Sequence, residues 1–405
     1  MKNGHTTPEE LMDRGSRAKS KARDTVSAHR NLALSFLADA VTGSAKRLIE
    51  ANEQDIDRAK KKDTDELTLS HMRLDYLAIS ALAGRIRTMA AKEDPTDSVE
   101  EWKCENGLTV RRIHAPLGLL VAVAGDNPRR NIESAAQAIK TGNVMIILRS
   151  PLTPKTDAIF AELLAGAFAC CGMNPDTVRM TEYSAENVRA LIGADSLADA
   201  ILLLGNKKQN KNLKKMTAIP VIASDSGTSH VYIDKGADIH GASHGIVESF
   251  RSIGSPNTVL VNWMVSDDFL PVMEGAAMEA GIELIADARV RSTLHGVEDY
   301  KDSHKKNADG KLLLLTVNSP EDAIKHIEAY GDGVCEGIYT PDGEVARSFS
   351  SAVDAGTVMI NAPLSRANGF DAGLGADVGA GADKLSGRGL FGLEKLTAIK
   401  YIVKR

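Results

Sequence analysis

The side chains best suited to covalent chemistry are four cysteines, because a thiolate is the strongest nucleophile that proteins commonly supply near neutral pH. Their spacing contains no C-x-x-C pair, which favours reduced thiols over a disulfide framework. The last of them begins a predicted strand, and an adjacent pair closes a predicted helix, so each is typical of a small packed residue. The four are Cys104, Cys170, Cys171 and Cys335.

Histidines and lysines offer two further patterns. His240 and His244 share one helix face, but no third ligand accompanies them, so we predict no metal site. A lysine run follows a short apolar segment, and a solvated helix face is favoured over a phosphate-binding or acid-binding surface. Its members are Lys207, Lys208, Lys211, Lys214 and Lys215.

Composition limits the class of partner. The chain has 405 residues, a net charge of -5 and only 4% aromatic residues. These values argue against nucleic acid and an anionic membrane, and they favour a small molecule or another subunit as partner. The length indicates more than one domain. Without an apolar leader or a run of about 18 apolar residues, we expect a cytoplasmic protein.

The elements that must position these residues change along the chain. Residues 8–92 show apolar positions at helical spacing. After Pro95 an alternating segment and an almost wholly apolar one predict strands, the second buried on both faces of a sheet. Strand and helix patterns then alternate in two successive series along the chain. This order predicts an α/β fold with two mainly parallel sheets.

The segment 368–394 is rich in glycine, which weakens regular helices and strands. Two interpretations remain open for it: a close backbone approach around a ligand or another subunit, and a flexible surface loop. The segment 296–311 is charged and poor in apolar residues, which predicts an exposed loop.

Five segments, in order, resemble the γ-glutamyl phosphate reductases of the aldehyde dehydrogenase superfamily. They are ANEQDIDRAK, RRIHAPLGLLVAVAG, KTGNVMIILRS, IPVIASDSGTSHVYID and GLGADVGAGADKLSGRGLFGLEKLTAIKYI. The resemblance implies two doubly wound α/β domains with a short oligomerisation element. It places a nucleotide-binding domain at 1–230, a catalytic-type domain at 231–360 and a glycine-rich and oligomerisation segment at 361–405.

The family reaction is the NADPH-dependent reduction of γ-glutamyl phosphate to glutamate 5-semialdehyde, a step of proline biosynthesis, through a cysteine thioester. In this sequence the position of that cysteine falls at Ile253, within the segment from Arg251 to Pro256. No cysteine lies between Cys171 and Cys335, so shifting the alignment cannot supply one. Ser252 and Ser255 lie in the same segment, but an oxygen ester accepts a hydride less readily than a thioester does.

The resemblance also assigns an oxyanion donor and a cofactor site. The family asparagine that binds the oxyanion aligns with Arg129, and Asn127 is the alternative after a short rearrangement. For NADP(H), the resemblance implies four cofactor-binding residues, among them an arginine suited to a 2′-phosphate. They are Arg149, Ser150, Gly205 and Asn206.

Four residues are implied to line the substrate cleft: Arg129, Arg130, His230 and Asn361. Because the cysteine and the asparagine are both replaced, two hypotheses stand. In the first the chain catalyses the family reaction, and in the second it is a pseudoenzyme that acts as a ligand-binding or regulatory subunit. A third hypothesis is a reductase without a covalent intermediate, with Arg129 and Arg130 as anion binders. We expect a homo-oligomer, or a hetero-oligomer with an active relative.

Overall fold

A computed structural model describes residues 7–193, 196–205, 207–223, 228–250, 256–301, 310–384 and 387–405. The chain divides into two compact units. The first unit comprises Met1–Ser224, Gly373–Val378 and Gly392–Arg405, and the second comprises Asp225–Ala372 and Gly379–Phe391. The C-terminal segment 361–405, expected as a separate element, thus contributes to both units.

The first unit begins with helices, as the sequence predicts for residues 8–92. The first of them starts at a capping box, in which the Thr7 hydroxyl accepts from the Glu10 amide at 3.2 Å and the Thr7 amide donates to the Glu10 carboxylate at 3.1 Å. The helices are α1 (Pro8–Asp24), α2 (Ser27–Gly43), α3 (Ala45–Lys60), α4 (Glu66–Met72) and α5 (Tyr76–Ala91). Two antiparallel strands follow, the exposed β1 (Val99–Lys103) and the half-buried β2 (Thr109–Pro116).

A five-stranded parallel sheet forms the core of the first unit. Its strands are β3 (Leu119–Val123), β4 (Val144–Leu148), β5 (Val178–Thr181), β6 (Ala200–Leu203) and β7 (Val221–Ala223). The helices between them are α6 (Pro128–Lys140), α7 (Pro154–Cys171), α8 (Ala185–Ile192) and α9 (Lys207–Lys214). The order is β5-β4-β3-β6-β7, so the direction of winding reverses between β3 and β6, beside the carboxyl ends where such sheets bind ligands.

The second unit contains a seven-stranded parallel sheet of order β11-β10-β12-β9-β8-β13-β14. Its strands are β8 (Ser229–Ile233), β9 (Pro256–Asn262), β10 (Leu284–Ala286), β11 (Glu298–Asp299), β12 (Leu312–Val317), β13 (Cys335–Tyr339) and β14 (Thr357–Ile360). Its helices are α10 (Ile239–Phe250), α11 (Ser266–Ala280), α12 (Val290–Thr293), α13 (Pro320–Tyr330) and α14 (Gly343–Ala352). Because β8 belongs wholly to this sheet, the expected boundary at 230/231 falls inside a strand.

The glycine-rich segment contains regular structure that its composition did not predict. Strands β15 (Gly379–Asp383) and β16 (Gly387–Phe391) pair as an antiparallel ribbon in the second unit. A Cβ atom at Gly356 would lie 2.5 Å from the Gly389 amide nitrogen and 2.9 Å from the Gly381 carbonyl oxygen. Glycine therefore serves here to let three backbones approach one another closely.

The last strand, β17 (Thr397–Lys404), pairs antiparallel with β2 in the first unit and completes a three-stranded sheet of order β1-β2-β17. None of the helices in the described ranges is long and apolar enough to cross a membrane. The alternation of strand and helix that the sequence predicts is confirmed in both units, and the fold is of the α/β class.

Candidate functional site

The turn that follows β3 carries the residues expected at the oxyanion corner. Asn127 is the N-cap of α6, and its side-chain oxygen accepts from the Arg129 amide at 3.1 Å and from Arg129 Nε at 3.3 Å. The same turn holds Asp126, whose carboxylate lies 3.3 Å from His71 Nδ1 on α4. The carboxyl end of the central strand therefore carries a cationic corner with one histidine–aspartate pair.

Two turns meet where the winding of this sheet reverses. A Cβ atom at Gly125, after β3, would lie 2.3 Å from the Leu204 carbonyl oxygen, after β6. Gly205 follows, and a Cβ there would lie 2.2 Å from Gln209 Oε1. Glycine is therefore required sterically at Gly125, where a Cβ would meet backbone, whereas at Gly205 the flexible Gln209 side chain could move aside. Asn206, the other residue implied at this turn, lies outside the described residues.

The turn that follows β4 carries Arg149 and Ser150. The Arg149 side chain is largely buried, its Nη2 lies 3.5 Å from Glu182 Oε1, and its Nε has no hydrogen-bond partner among the described residues. Ser150 is buried, and its hydroxyl accepts from the Leu152 amide at 3.2 Å. That Nε is shielded from solvent, so a ligand at the carboxyl end of β4 would meet the exposed part of the guanidinium group instead.

A cavity of about 490 Å³ lies beside this turn within the first unit. Three of its lining residues are arginines, namely Arg14, Arg149 and Arg179. The first and third share Asp176, at 2.8 and 3.0 Å, and this pairing holds the pKa of Asp176 low against the opposing effect of its burial. Ser184, the N-cap of α8, also lines the cavity. The lining also includes Glu182 and Glu186, so the cavity carries charges of both signs, and an anionic ligand would bind through the arginines.

In the second unit, strand β8 carries a row of buried polar side chains at alternate positions. The His230 ring and backbone both bind Glu336 Oε2, from Nδ1 at 3.1 Å and from the amide at 2.6 Å. Burial raises the pKa of Glu336, and the contact with His230 opposes that rise. His230 is fully buried, so it lies inside the unit and its ring is oriented by a carboxyl group.

Tyr232 on the same strand belongs to a buried hydrogen-bond network. The Tyr232 hydroxyl donates to Asp234 at 2.9 Å and accepts from Asn262 at 2.9 Å, and the Thr340 hydroxyl donates to Asp234 at 2.8 Å. Burial is the main cause that raises the pKa of Tyr232. These contacts satisfy the polar groups at the carboxyl end of β8, which indicates a structural role.

Asn361 follows β14 with a φ of 52°. Its side-chain oxygen accepts from the Thr340 amide at 2.8 Å, and its Nδ2 donates to the Thr340 carbonyl at 2.8 Å. Its side-chain amide therefore continues the pairing of the parallel strands, although the residue as a whole is exposed.

All four cysteines lie within the described ranges. Cys335 is 4% exposed in β13, and burial with two neighbouring carboxylates raises the pKa of its thiol to about 12. Cys171 ends α7, where its Sγ donates to the Ala167 carbonyl at 3.1 Å and burial raises its pKa. Cys170 is exposed and Cys104 half-buried, and neither is near β9 in sequence. Residues 251–255, including Ile253, lie outside the described residues.

Sequence reasoning missed two carboxylates, Asp157 and Glu336. Both are buried and both contact residues of the expected sites. An acid in the first helical turn or at the start of a strand is ordinary, so only long-range contacts distinguish these two. No group of three or more histidine, cysteine or acidic residues in the described ranges is arranged to hold a metal, and His240 and His244 are exposed on α10.

Comparison with known proteins identifies the group. The family model "Aldehyde dehydrogenase family" matches residues 4–278. The γ-glutamyl phosphate reductase of Listeria monocytogenes (serotype 4a) is 30% identical over 405 residues, covering 97% of this chain and 98% of that protein. The same-named protein of Thermobifida fusca is 30% identical over 401 residues, covering 96% and 95%.

Solved structures agree at the level of the fold. The γ-glutamyl phosphate reductase of Thermotoga maritima superposes with a TM-score of 0.87 at 22% identity, covering 98% of both chains. The glyceraldehyde-3-phosphate dehydrogenase of Methanocaldococcus jannaschii, solved with NADP, gives a TM-score of 0.73 at 14% identity, covering 98% of this chain and 94% of that one. The chain belongs to the aldehyde dehydrogenase family and, within it, groups with the γ-glutamyl phosphate reductases.

Proposed function

We propose that this chain is a γ-glutamyl phosphate reductase homologue that binds NADP(H) but does not carry out reduction through a cysteine thioester. Such a chain would serve as a ligand-binding or regulatory subunit. One observation carries the proposal: the only cysteine after Cys171 is Cys335, which is buried and has its pKa raised to about 12.

The chemistry explains why that observation matters. Capture of an acyl phosphate requires a thiolate that is deprotonated near neutral pH and open to the substrate. A thiol with a pKa near 12 remains protonated, and a side chain 4% exposed does not meet a dissolved substrate. The segment aligned with the family nucleophile contains only Arg251, Ser252, Ile253, Gly254 and Ser255 before Pro256.

The corner after β3 supports the same proposal. An oxyanion site needs hydrogen-bond donors free to meet a developing negative charge. Here Arg129 occupies the aligned position of the asparagine, while the Asn127 side-chain oxygen, which is an acceptor, caps α6. Arg129 and Arg130 instead suit a carboxylate or phosphate, as a reductase without a covalent intermediate would also require.

Nucleotide binding is supported by the turn after β4. Arg149 lines the arginine-lined cavity, where a guanidinium group fits the 2′-phosphate of NADP(H). The cofactor would supply a hydride donor or acceptor when bound. The residues of this chain that we assign to it are Arg149 and Ser150, with Gly205 after β6 and its sequence neighbour Asn206.

A second candidate is the family reaction itself, the reduction of γ-glutamyl phosphate. Identity of 30% over nearly the whole length of relatives that bear that name favours it. It requires a nucleophile other than a reactive cysteine, and Ser252 and Ser255 are the side chains available in the aligned segment. It would then make the chain an oxidoreductase of proline biosynthesis.

Fluorescence titration with NADPH tests the nucleotide half of the proposal. We expect saturable binding by the unmodified chain and roughly tenfold weaker binding by Arg149→Ala, the cost of one charge-assisted contact. Arg87→Ala is the matched control, because Arg87 is an exposed arginine of the same unit that pairs with Asp39. Equal affinities in all three proteins would show that Arg149 does not contact the nucleotide. Absence of binding by the unmodified chain would reject a nucleotide-binding role.

A further inference from the structure

A buried carboxyl group lies directly beneath the turn that carries Arg149. Asp157, in the first turn of α7, is 0% exposed. Its Oδ2 accepts from the Ser150 amide at 3.2 Å and from the Thr153 hydroxyl at 3.1 Å, and its Oδ1 accepts from Asn131 Nδ2 at 3.2 Å. One carboxylate therefore joins the end of β4, the start of α7 and helix α6.

The rest of the turn is held from α3. Arg58 donates to the Pro151 carbonyl at 2.7 Å and to the Leu152 carbonyl at 3.1 Å. Asp55 accepts from the amides of Lys155 and Thr156 at 3.0 and 2.9 Å. The Ser150 amide, at the position next to Arg149, is held instead by Asp157.

The charges that face Asp157 are few among the described residues. Arg149 at the end of β4 acts on it electrostatically, and α6 presents the neutral Asn131. On α3, Arg58 and Asp55 face the adjoining part of the turn and lie 3.9 Å from each other. Burial is the largest effect and raises the pKa of Asp157 to about 7, against the hydrogen bonds from Asn131, Thr153 and Ser150.

We propose that Asp157 is a proton-linked positioning residue of the nucleotide site, whose carboxylate fixes the Arg149–Ser150 turn and whose protonation weakens nucleotide binding. This inference rests on the nucleotide binding proposed above. Asp157 acts through the turn that carries Arg149, and its protonation state makes affinity depend on pH near neutrality.

The hydrogen bonds give the direction of the effect. A carboxylate accepts from all three donors around it, whereas a carboxylic acid places its own O–H among them. Protonation of Oδ2 therefore removes an acceptor site that the Ser150 amide and the Thr153 hydroxyl share. The turn loses a contact, and the Arg149 guanidinium is held less firmly where it meets the nucleotide.

The test is the dissociation constant for NADPH at pH 6 and pH 8, measured by fluorescence for the unmodified chain and for Asp157→Asn. We expect the unmodified chain to bind roughly fivefold more weakly at pH 6, the factor that one net hydrogen bond supplies. The asparagine of the variant cannot titrate. The ratio of its dissociation constants at pH 6 and pH 8 should therefore differ from that of the unmodified chain by this factor. Any titration of the nucleotide itself remains in both proteins and cancels in the comparison.

Two further variants sharpen the measurement. Asp39→Asn is the matched control, since Asp39 is an exposed aspartate of the same unit, and it should keep the unmodified pH profile. Thr153→Val removes a hydrogen bond that stabilises the carboxylate, so it should move the midpoint of the pH profile upward. This shift would not follow from a purely structural role.

The outcomes separate the two proposals. Absence of NADPH binding at every pH overturns the proposed function and the inference with it. Binding whose pH profile is the same in Asp157→Asn as in the unmodified chain overturns the inference alone. Tighter binding at pH 6 that disappears in Asp157→Asn also overturns it, because charge repulsion and not positioning would then be the cause.

Discussion

Among single residues, the reactivity of the thiols decides whether a cysteine thioester can form. Cys170 is exposed, whereas Cys335 is 4% exposed with its pKa raised to about 12. An aromatic disulfide reagent should therefore modify Cys170 rapidly in the native protein and Cys335 only as the protein unfolds. Mass spectrometry of digested peptides over time measures both rates. Native-state labelling of Cys335 as fast as that of Cys170 would mean that its thiol is accessible.

Asp157 gives a second prediction, on stability against pH. Its pKa is raised from 3.8 to about 7, so between these values the native state binds a proton that the unfolded state has released. Its contribution to the free energy of unfolding is therefore fully present below the unfolded pKa of 3.8 and is lost as pH rises through about 7. Between about pH 4 and pH 8, the free energy of unfolding of Asp157→Asn should therefore rise by roughly 2–4 kcal/mol relative to that of the unmodified chain.

Urea denaturation of both proteins at several pH values measures this difference directly. The variant replaces a titrating group with one that does not titrate, so every other group contributes equally to the two curves. A constant difference between the curves across the whole range would show that the pKa of Asp157 is not raised in the folded protein.

At the scale of elements, Asn361 joins β14 to β13 through its side chain. Asn361→Ala removes both hydrogen bonds to Thr340 and places an alanine at a φ of 52°. We expect a loss of about 2–3 kcal/mol in the free energy of unfolding. Asn361→Gly should lose roughly 1 kcal/mol less, since glycine adopts this φ without strain. Equal losses in thermal or urea denaturation would mean that backbone strain plays no part.

The ribbon β15–β16 offers a test of close backbone packing. Gly356→Ala would place a Cβ 2.5 Å from the Gly389 amide nitrogen, so the ribbon must shift. We expect a destabilisation of about 1–3 kcal/mol. Gly343→Ala, at the start of α14, is the control because a Cβ there meets nothing within 4 Å. If both substitutions have the same effect, the ribbon does not pack against Gly356 as described.

These elements also show how far the sequence predicts the structure. Apolar patterning predicts the helices and the buried strands. Burial on one face leaves apolar residues at a regular spacing, and burial on both faces leaves a continuous apolar run. Apolar patterning did not predict the ribbon β15–β16. A high glycine content shows that other segments can approach the backbone closely, but it does not show which segment does so. The contacts of Asp157 with Asn131 and of His230 with Glu336 join distant segments, which no local pattern reports.

At the scale of the whole molecule, the sheet β1-β2-β17 bears on assembly. One face presents Trp102, Ile399, Tyr401 and Val403, which are 41%, 52%, 56% and 55% exposed. Trp102 and Tyr401 meet edge to face at 6.4 Å, and β17 is an edge strand. An apolar, unpaired edge favours association, so the expected homo-oligomer or complex with an active relative stays a prediction that this sheet supports.

Light scattering after gel filtration tests the homo-oligomer. Tyr401→Asp should reduce the molar mass to that of smaller species, because it buries a charge in an apolar contact. Lys400→Asp is the control, since Lys400 is exposed and its side chain projects from the opposite face of the same strand. An unchanged mass for Tyr401→Asp would exclude this face as the interface.

We expect that no cysteine of this chain captures an acyl group. The most direct measurement is phosphate-dependent formation of NADPH from glutamate 5-semialdehyde and NADP, compared between the unmodified chain and Cys335→Ala. We expect no turnover above background in either protein. Turnover by the unmodified chain that is abolished in Cys335→Ala would contradict it.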